Sequence, residues 1–260
     1  MKAIVQVWTQ HCVNAPQTDT ENFWGIGDFL RGTIQLYMLS KKLGFQFYVD
    51  ISLHPMSKYL IPVENPYRSL IQENKNNIKL LPSNLDLERL ISTFEDGLYF
   101  FFTNAQCTFP ISTECKEFIK KILIPIPSLE HELSMFPFKK YEIMHLRLGD
   151  KELLNNGTAT ISQEIIDMVK KNRGENTILI SDSLSVKQNA DILKYVYITD
   201  TTPKHTGKCS DPDSMKETFI EFLLITRSSS IKTYSSYSWR SGFVDWAHKI
   251  YDISIHDIIL

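Results

Sequence analysis

The run His145-Leu146-Arg147-Leu148-Gly149-Asp150 places an imidazole, a guanidinium and a carboxylate together at the end of an apolar segment. An arginine held in place offers a planar fork of donors that matches two oxygens of a phosphate at once. The residues from Tyr141 to Leu148 alternate as a strand does. Neighbouring side chains on a strand point to opposite faces. Ile143, His145 and Arg147 therefore share one face, and Met144, Leu146 and Leu148 the other. Gly149 ends the strand in a turn. Arg147 and Asp150 are thus expected at the carboxyl end of a parallel strand, where open α/β sheets bind ligands. His145 can add a donor. Asp150 can hold Arg147, cap the next segment or meet a sugar hydroxyl. The same run also reads as a strand that ends in an exposed Arg-Asp pair.

Three other segments combine polar side chains with a strand-to-helix turn. Gly25-Ile26-Gly27-Asp28 opens a helical pattern; glycines there let a ligand approach the backbone, although a plain helix start with Asp28 near its N-terminus reads equally well. It is not a dinucleotide fingerprint, because the third glycine is wrongly spaced. Ser181-Asp182-Ser183 follows the apolar run Leu179-Ile180 and either presents small polar groups at the sheet edge or caps a helix. Ser235-Ser236-Tyr237-Ser238 follows Tyr234 and leads into Trp239, where a last helix is expected. Hydroxyls and unpaired amides at a helix N-terminus form an anion site; the alternative is a polar cap with Trp239 and Phe243 in the core. Asp211-Pro212-Asp213 resembles a metal-binding Asp-x-Asp but follows no apolar strand. No metal site is expected.

Positioning these residues requires alternating strands and helices. Strands are predicted at 3–8, 45–50, 78–81, 98–102, 142–148, 177–181, 196–199 and 231–234. Helices are predicted from the glycine turn to Leu43, and over 85–94, 114–123, 162–171, 185–195, 214–227 and 239–250. Repeated alternation of this kind predicts parallel sheets covered by helices. Pro125, Pro127 and Pro137 punctuate a connecting stretch. The chain is therefore read as two Rossmann-like α/β domains facing across a cleft, 1–138 and 139–260.

The remaining composition excludes several classes. The net charge of −2 gives no global field for nucleic acid. No secretory signal is visible, and no run reaches the roughly 18 apolar residues of a membrane span. Cys12, Cys107, Cys115 and Cys209 lack metal-ligand spacing. A soluble, cytoplasmic protein is expected. Phosphate loops, His-Glu-x-x-His and Gly-x-Ser-x-Gly are absent.

Taken together, the segments resemble the fucosyltransferase clan of GT-B glycosyltransferases, which includes α1,2-, α1,6- and protein O-fucosyltransferases. His145 to Asp150 is similar to the clan's His-x-Arg-x-Gly-Asp. Ile180-Ser181-Asp182-Ser183 is similar to its second motif, and Ser235-Ser236-Tyr237-Ser238-Trp239 to its third, with Tyr for Phe. Gly25-Ile26-Gly27-Asp28-Phe29-Leu30 resembles its amino-terminal glycine segment. Leu148 departs from the pattern, standing where many members carry a second Arg. The resemblance implies an inverting, metal-independent transfer of fucose from GDP-fucose to a glycan acceptor, with no cofactor. Arg147 would hold the β-phosphate. His145, Asp150, Ser181, Asp182, Ser235, Ser236, Tyr237 and Ser238 would complete the donor site, with Gly25 and Gly27. Asp28 would take the acceptor proton, with Glu21 as second choice. Glu217 and Glu221 could meet guanine or ribose, or be solvated. A different nucleotide-sugar donor such as a UDP-sugar, or a non-catalytic nucleotide- or glycan-binding module, remains compatible with the same residues.

Overall fold

The computed structural model describes residues 1–8, 25–74, 78–82, 84–107, 109–149, 161–189, 197–198 and 212–260. They form two compact units. One comprises the described residues of Met1–Ile126 with those of Thr206–Met215, the other those of Pro127–His205 with Lys216–Leu260. Each unit is a parallel sheet flanked by helices, a Rossmann-like arrangement.

In the first unit, β1 (Lys2–Val7), β2 (Gln46–Asp50), β3 (Lys79–Leu81) and β4 (Gly97–Thr103) pair in the order β2-β1-β4-β3, every pair parallel. Alternation sends β1 side chains to two cores. Ile4 packs with Phe101 and with Leu36 and Leu39 of α1 (Ile26–Leu43), beside Leu87 and Ile91 of α3 (Leu87–Ser92). Val5 and Val7 pack on the opposite face with Phe100, Phe102 and Ile71 of α2 (Arg68–Glu73). Burial on both faces is why β1 and β4 read as nearly continuous apolar runs. α1 stops where Gly44 turns left-handed at φ 72°, its amide donating to the Ser40 carbonyl, the usual glycine stop. α4 (Thr113–Ile122) closes the unit, with Ser112 accepting from the Cys115 amide as its cap.

In the second unit, β5 (Glu142–Arg147), β6 (Thr177–Ser181), β7 (Tyr197–Ile198), β8 (Ser230–Ser235) and β9 (Ser254–Asp257) pair in the order β7-β6-β5-β8-β9, again all parallel. Met144 and Leu146 pack with Ile165, Ile166, Met168 and Val169 of α6 (Gln163–Asn172). Three features differ from the sequence reading. The Pro-punctuated stretch holds a helix, α5 (Pro127–Ser134); proline at a first helical position costs nothing, since its missing donor has no partner there. β9 adds an edge strand that the sequence pattern did not signal. The last helix, α9 (Gly242–Tyr251), begins three residues later than expected, with Ser241 accepting from the Phe243 amide as its cap. Ser235 to Ser238 therefore form a turn ahead of this helix and do not cap it. The unit is completed by α7 (Leu184–Gln188) and, from Lys216 on, by α8 (Pro212–Thr226).

Candidate functional site

The parallel registers bring the sequence motifs of the second unit to one level. Leu146 pairs with Ser181 of β6, and Arg147 with Ser235 of β8. The residues just past three adjacent strands therefore meet at the carboxyl edge of the sheet, which is the ligand-binding edge of such sheets.

Arg147 is the last residue of β5 and its side chain is 23% exposed. Its Nη1 donates to Asp182 Oδ2 at 2.6 Å. The same carboxylate takes the Leu148 amide at 2.8 Å on Oδ1 and the Gly149 amide at 3.1 Å on Oδ2. One carboxylate thus fixes both the guanidinium and the turn behind it. Asp182 is mostly buried, and burial raises its pKa above the ordinary carboxylate value. The Leu148 amide, the Arg147 charge and the Gly149 amide pull the other way without overcoming burial.

Gly149 has φ +109°, and a β carbon there would lie 3.1 Å from Tyr237 Oη. The turn needs glycine both for its dihedral and for this close approach. Ser236 locks the two loops together. Its amide donates to the Arg147 carbonyl at 2.9 Å, and its hydroxyl to the Leu148 carbonyl at 3.0 Å. Ser235 Oγ accepts from the Tyr237 amide at 3.2 Å. The Tyr237 ring stacks on Trp239 at 4.8 Å, and the Arg147 guanidinium lies 5.9 Å from its centroid. Trp239 is 64% exposed. The arrangement couples a pre-aligned cation to hydroxyls and to flat aromatic surface. It suits an anionic group attached to a ring.

The other expected residues are placed as follows. Asp150, Glu21 and Asp211 lie outside the described residues; among the described residues Arg147 donates to Asp182. His145 is buried below the edge, its Nδ1 3.3 Å from Thr233 Oγ1 and its ring beside Phe243. Burial, with the Arg147 charge adding to it, pushes its pKa down to about 3, so the imidazole is neutral and supports the strand rather than reaching the edge. Ser181 is also buried: its hydroxyl donates to the Leu146 carbonyl at 3.2 Å and accepts the Ser183 amide. Ser183 caps α7. Ser238 is exposed beside Tyr237. Glu221 is not solvated. It pairs with Lys187 at 2.7 Å, the two side chains 11% and 6% exposed, and ties α8 to α7. Trp239 is not core. The role of Asp182 as a clamp was not legible, because it depends on which strands are neighbours.

In the first unit, Gly25 precedes α1 and its carbonyl accepts the Phe29 amide at 2.9 Å. Gly27 and Asp28 lie in the first turn of that helix. Asp28 Oδ1 pairs with Arg31 at 2.7 Å, and Arg31 Nε donates to the Asn104 carbonyl at 2.6 Å. The close backbone approach in this glycine segment is made by Gly32, where an added β carbon would stand 1.9 Å from the Thr103 carbonyl oxygen. Among the described residues no group of three or more His, Cys, Asp or Glu side chains gathers as a metal site. No described helix is long and apolar enough to cross a membrane.

No known family profile matches the sequence, and no curated protein matches it. Solved structures do match. The chain is similar to NodZ alpha-1,6-fucosyltransferase soaked with GDP-fucose, at 12% identity and a TM-score of 0.55, over 96% of this chain and 92% of that one. Another NodZ fucosyltransferase structure, from Bradyrhizobium, matches at 13% identity and the same TM-score of 0.55, over 95% of this chain and 92% of that one. A variant of Arabidopsis thaliana FUT1 in complex with GDP matches at 11% identity and a TM-score of 0.57, over 98% of this chain and 70% of that one. The likeness is one of fold: the chain has the two-unit α/β fold of these fucosyltransferases across nearly its whole length.

Proposed function

We propose that this protein is an inverting glycosyltransferase that transfers fucose from GDP-fucose to a glycan acceptor without a metal ion. The observation that carries the reading is Arg147, held by the mostly buried Asp182 at the carboxyl end of β5. The shared fold with fucosyltransferases solved with GDP or GDP-fucose supports the choice of donor.

In this reading the donor belongs to the second unit and the acceptor to the first. The diphosphate lies against Arg147, with Ser235, Ser236 and Tyr237 around it. The acceptor oxygen attacks the anomeric carbon on the face opposite the diphosphate. The new glycosidic bond forms as the bond between sugar and phosphate oxygen breaks, and GDP leaves with the electron pair. Charge grows on the departing phosphate, and Arg147 neutralises it. Because Asp182 has already oriented the guanidinium, little reorganisation is needed as that charge develops. The acceptor proton passes to Asp28. GDP release in the presence of a glycan acceptor panel tests the proposal. Arg147→Lys keeps the charge but loses the planar fork, and the expected loss is on the order of 10²–10³ in rate. Near-normal turnover in that variant contradicts the reading.

A further inference from the structure

The carboxyl end of β2 carries a second polar site, within the first unit and built from different residues. Asp50 ends the strand and is only 4% exposed. Its Oδ1 accepts the Ser52 amide at 2.7 Å. Its Oδ2 has no hydrogen-bond donor among the described residues; the nearest cation, Arg68 Nε, stands 3.9 Å away. The buried Ser52 hydroxyl also has no hydrogen-bond partner there. Both residues line a cavity of about 190 Å³ with Arg68 and an apolar wall that includes Leu60, Pro62 and Ile122.

A buried carboxylate oxygen without a donor is costly, and folded proteins seldom keep one unless something supplies the missing bond. The cavity itself narrows what that something is. An anion is repelled by Asp50 and a free ammonium by Arg68. A neutral molecule with adjacent hydroxyls satisfies both. One hydroxyl donates to Asp50 Oδ2, a neighbour bonds with Ser52 Oγ, and Arg68 donates to a further oxygen. The apolar wall suits the C–H face of a ring. The volume falls below the roughly 300–1,000 Å³ of drug-sized sites, which limits the occupant to one ring.

We propose that this cavity binds one neutral pyranose ring and that it is a subsite for the acceptor glycan, an assignment that rests on the glycosyltransferase reading above. The test is ligand-observed saturation-transfer NMR on the full chain without nucleotide, using the methyl glycosides of galactose, glucose, mannose and N-acetylglucosamine at millimolar concentration. Transfer to at least one glycoside is expected. It should be lost in Asp50→Asn, which can no longer accept on both oxygens. It should also be lost in Ile61→Trp, which fills the cavity from its exposed rim and leaves the buried carboxylate in place. GDP affinity, measured in parallel, should be unchanged in both variants, and a retained cooperative urea transition serves as the folding control. No transfer to any glycoside, or transfer that persists in Ile61→Trp, overturns the proposal. GDP binding without glycoside transfer overturns this subsite alone, whereas glycoside transfer without GDP binding keeps the sugar site and removes the donor reading.

Discussion

At the scale of single residues, the site is governed by one carboxylate. Asp182 holds Arg147 and two backbone amides at once, and burial keeps its pKa above the ordinary carboxylate value. As pH falls, Asp182 therefore takes up a proton earlier than a solvated aspartate does. Its bond to the guanidinium then weakens, and anion binding by Arg147 weakens with it. GDP affinity is expected to drop on the acid side at a higher pH than a solvated aspartate would give, and Asp182→Asn should bind weakly at every pH with that limb gone. An acid limb that persists in Asp182→Asn over a pH range in which that variant stays folded contradicts the assignment. Arg147 was legible in the sequence because strand alternation and the glycine after it fix where it emerges. Its contact with Asp182 was not, because it is the parallel pairing of β5 with β6 that brings Asp182 to the same level. His145 shows a different limit: alternation gives its face correctly, but not that the face is covered by Phe243.

At the scale of elements, the two sheets were legible because both-face burial writes itself as apolar runs. The weakest signals came from the elements that differ. β9 is a short edge strand with only one half-buried and no buried side chain, so little apolar pattern betrays it. α5 hides among prolines that elsewhere break helices. The start of α9 depends on Ser241, one of several serines in that stretch able to cap. Helix-on-sheet packing yields a direct prediction at Gly32. A β carbon there meets the Thr103 carbonyl, a backbone atom that cannot rotate away. Gly32→Ala should destabilise the protein by about 1–3 kcal/mol or more, the cost of overpacking, as read by urea denaturation. An unchanged midpoint contradicts the tight contact between α1 and β4. This requirement explains part of the glycine-rich segment without any ligand.

At the scale of the whole molecule, each unit buries a neutral histidine. Burial pushes His54 in the first unit and His145 in the second down to about 3. In the unfolded chain both return to about 6.5. Their folded pKa values are depressed, so the stability they permit is complete above pH 6.5 and falls as pH drops toward 3. Each should cost about 1.4 kcal/mol per pH unit within that window. Urea midpoints measured from pH 7 to pH 4 are expected to fall steadily. His145→Gln, which retains a side chain able to bond Thr233, should flatten the slope; an identical slope in that variant contradicts a neutral buried His145. Acid loss of GDP binding must accordingly be separated from acid unfolding, by following the urea transition of Asp182→Asn over the same pH range.

The measurement that tests the central claim most directly is calorimetric titration of the intact protein with GDP, GDP-fucose, GDP-mannose and UDP, with chelator present. The account predicts saturable binding of GDP and GDP-fucose in preference to UDP, sharply weakened by Arg147→Lys. Binding of UDP alone, or GDP binding indifferent to Arg147→Lys, would contradict it.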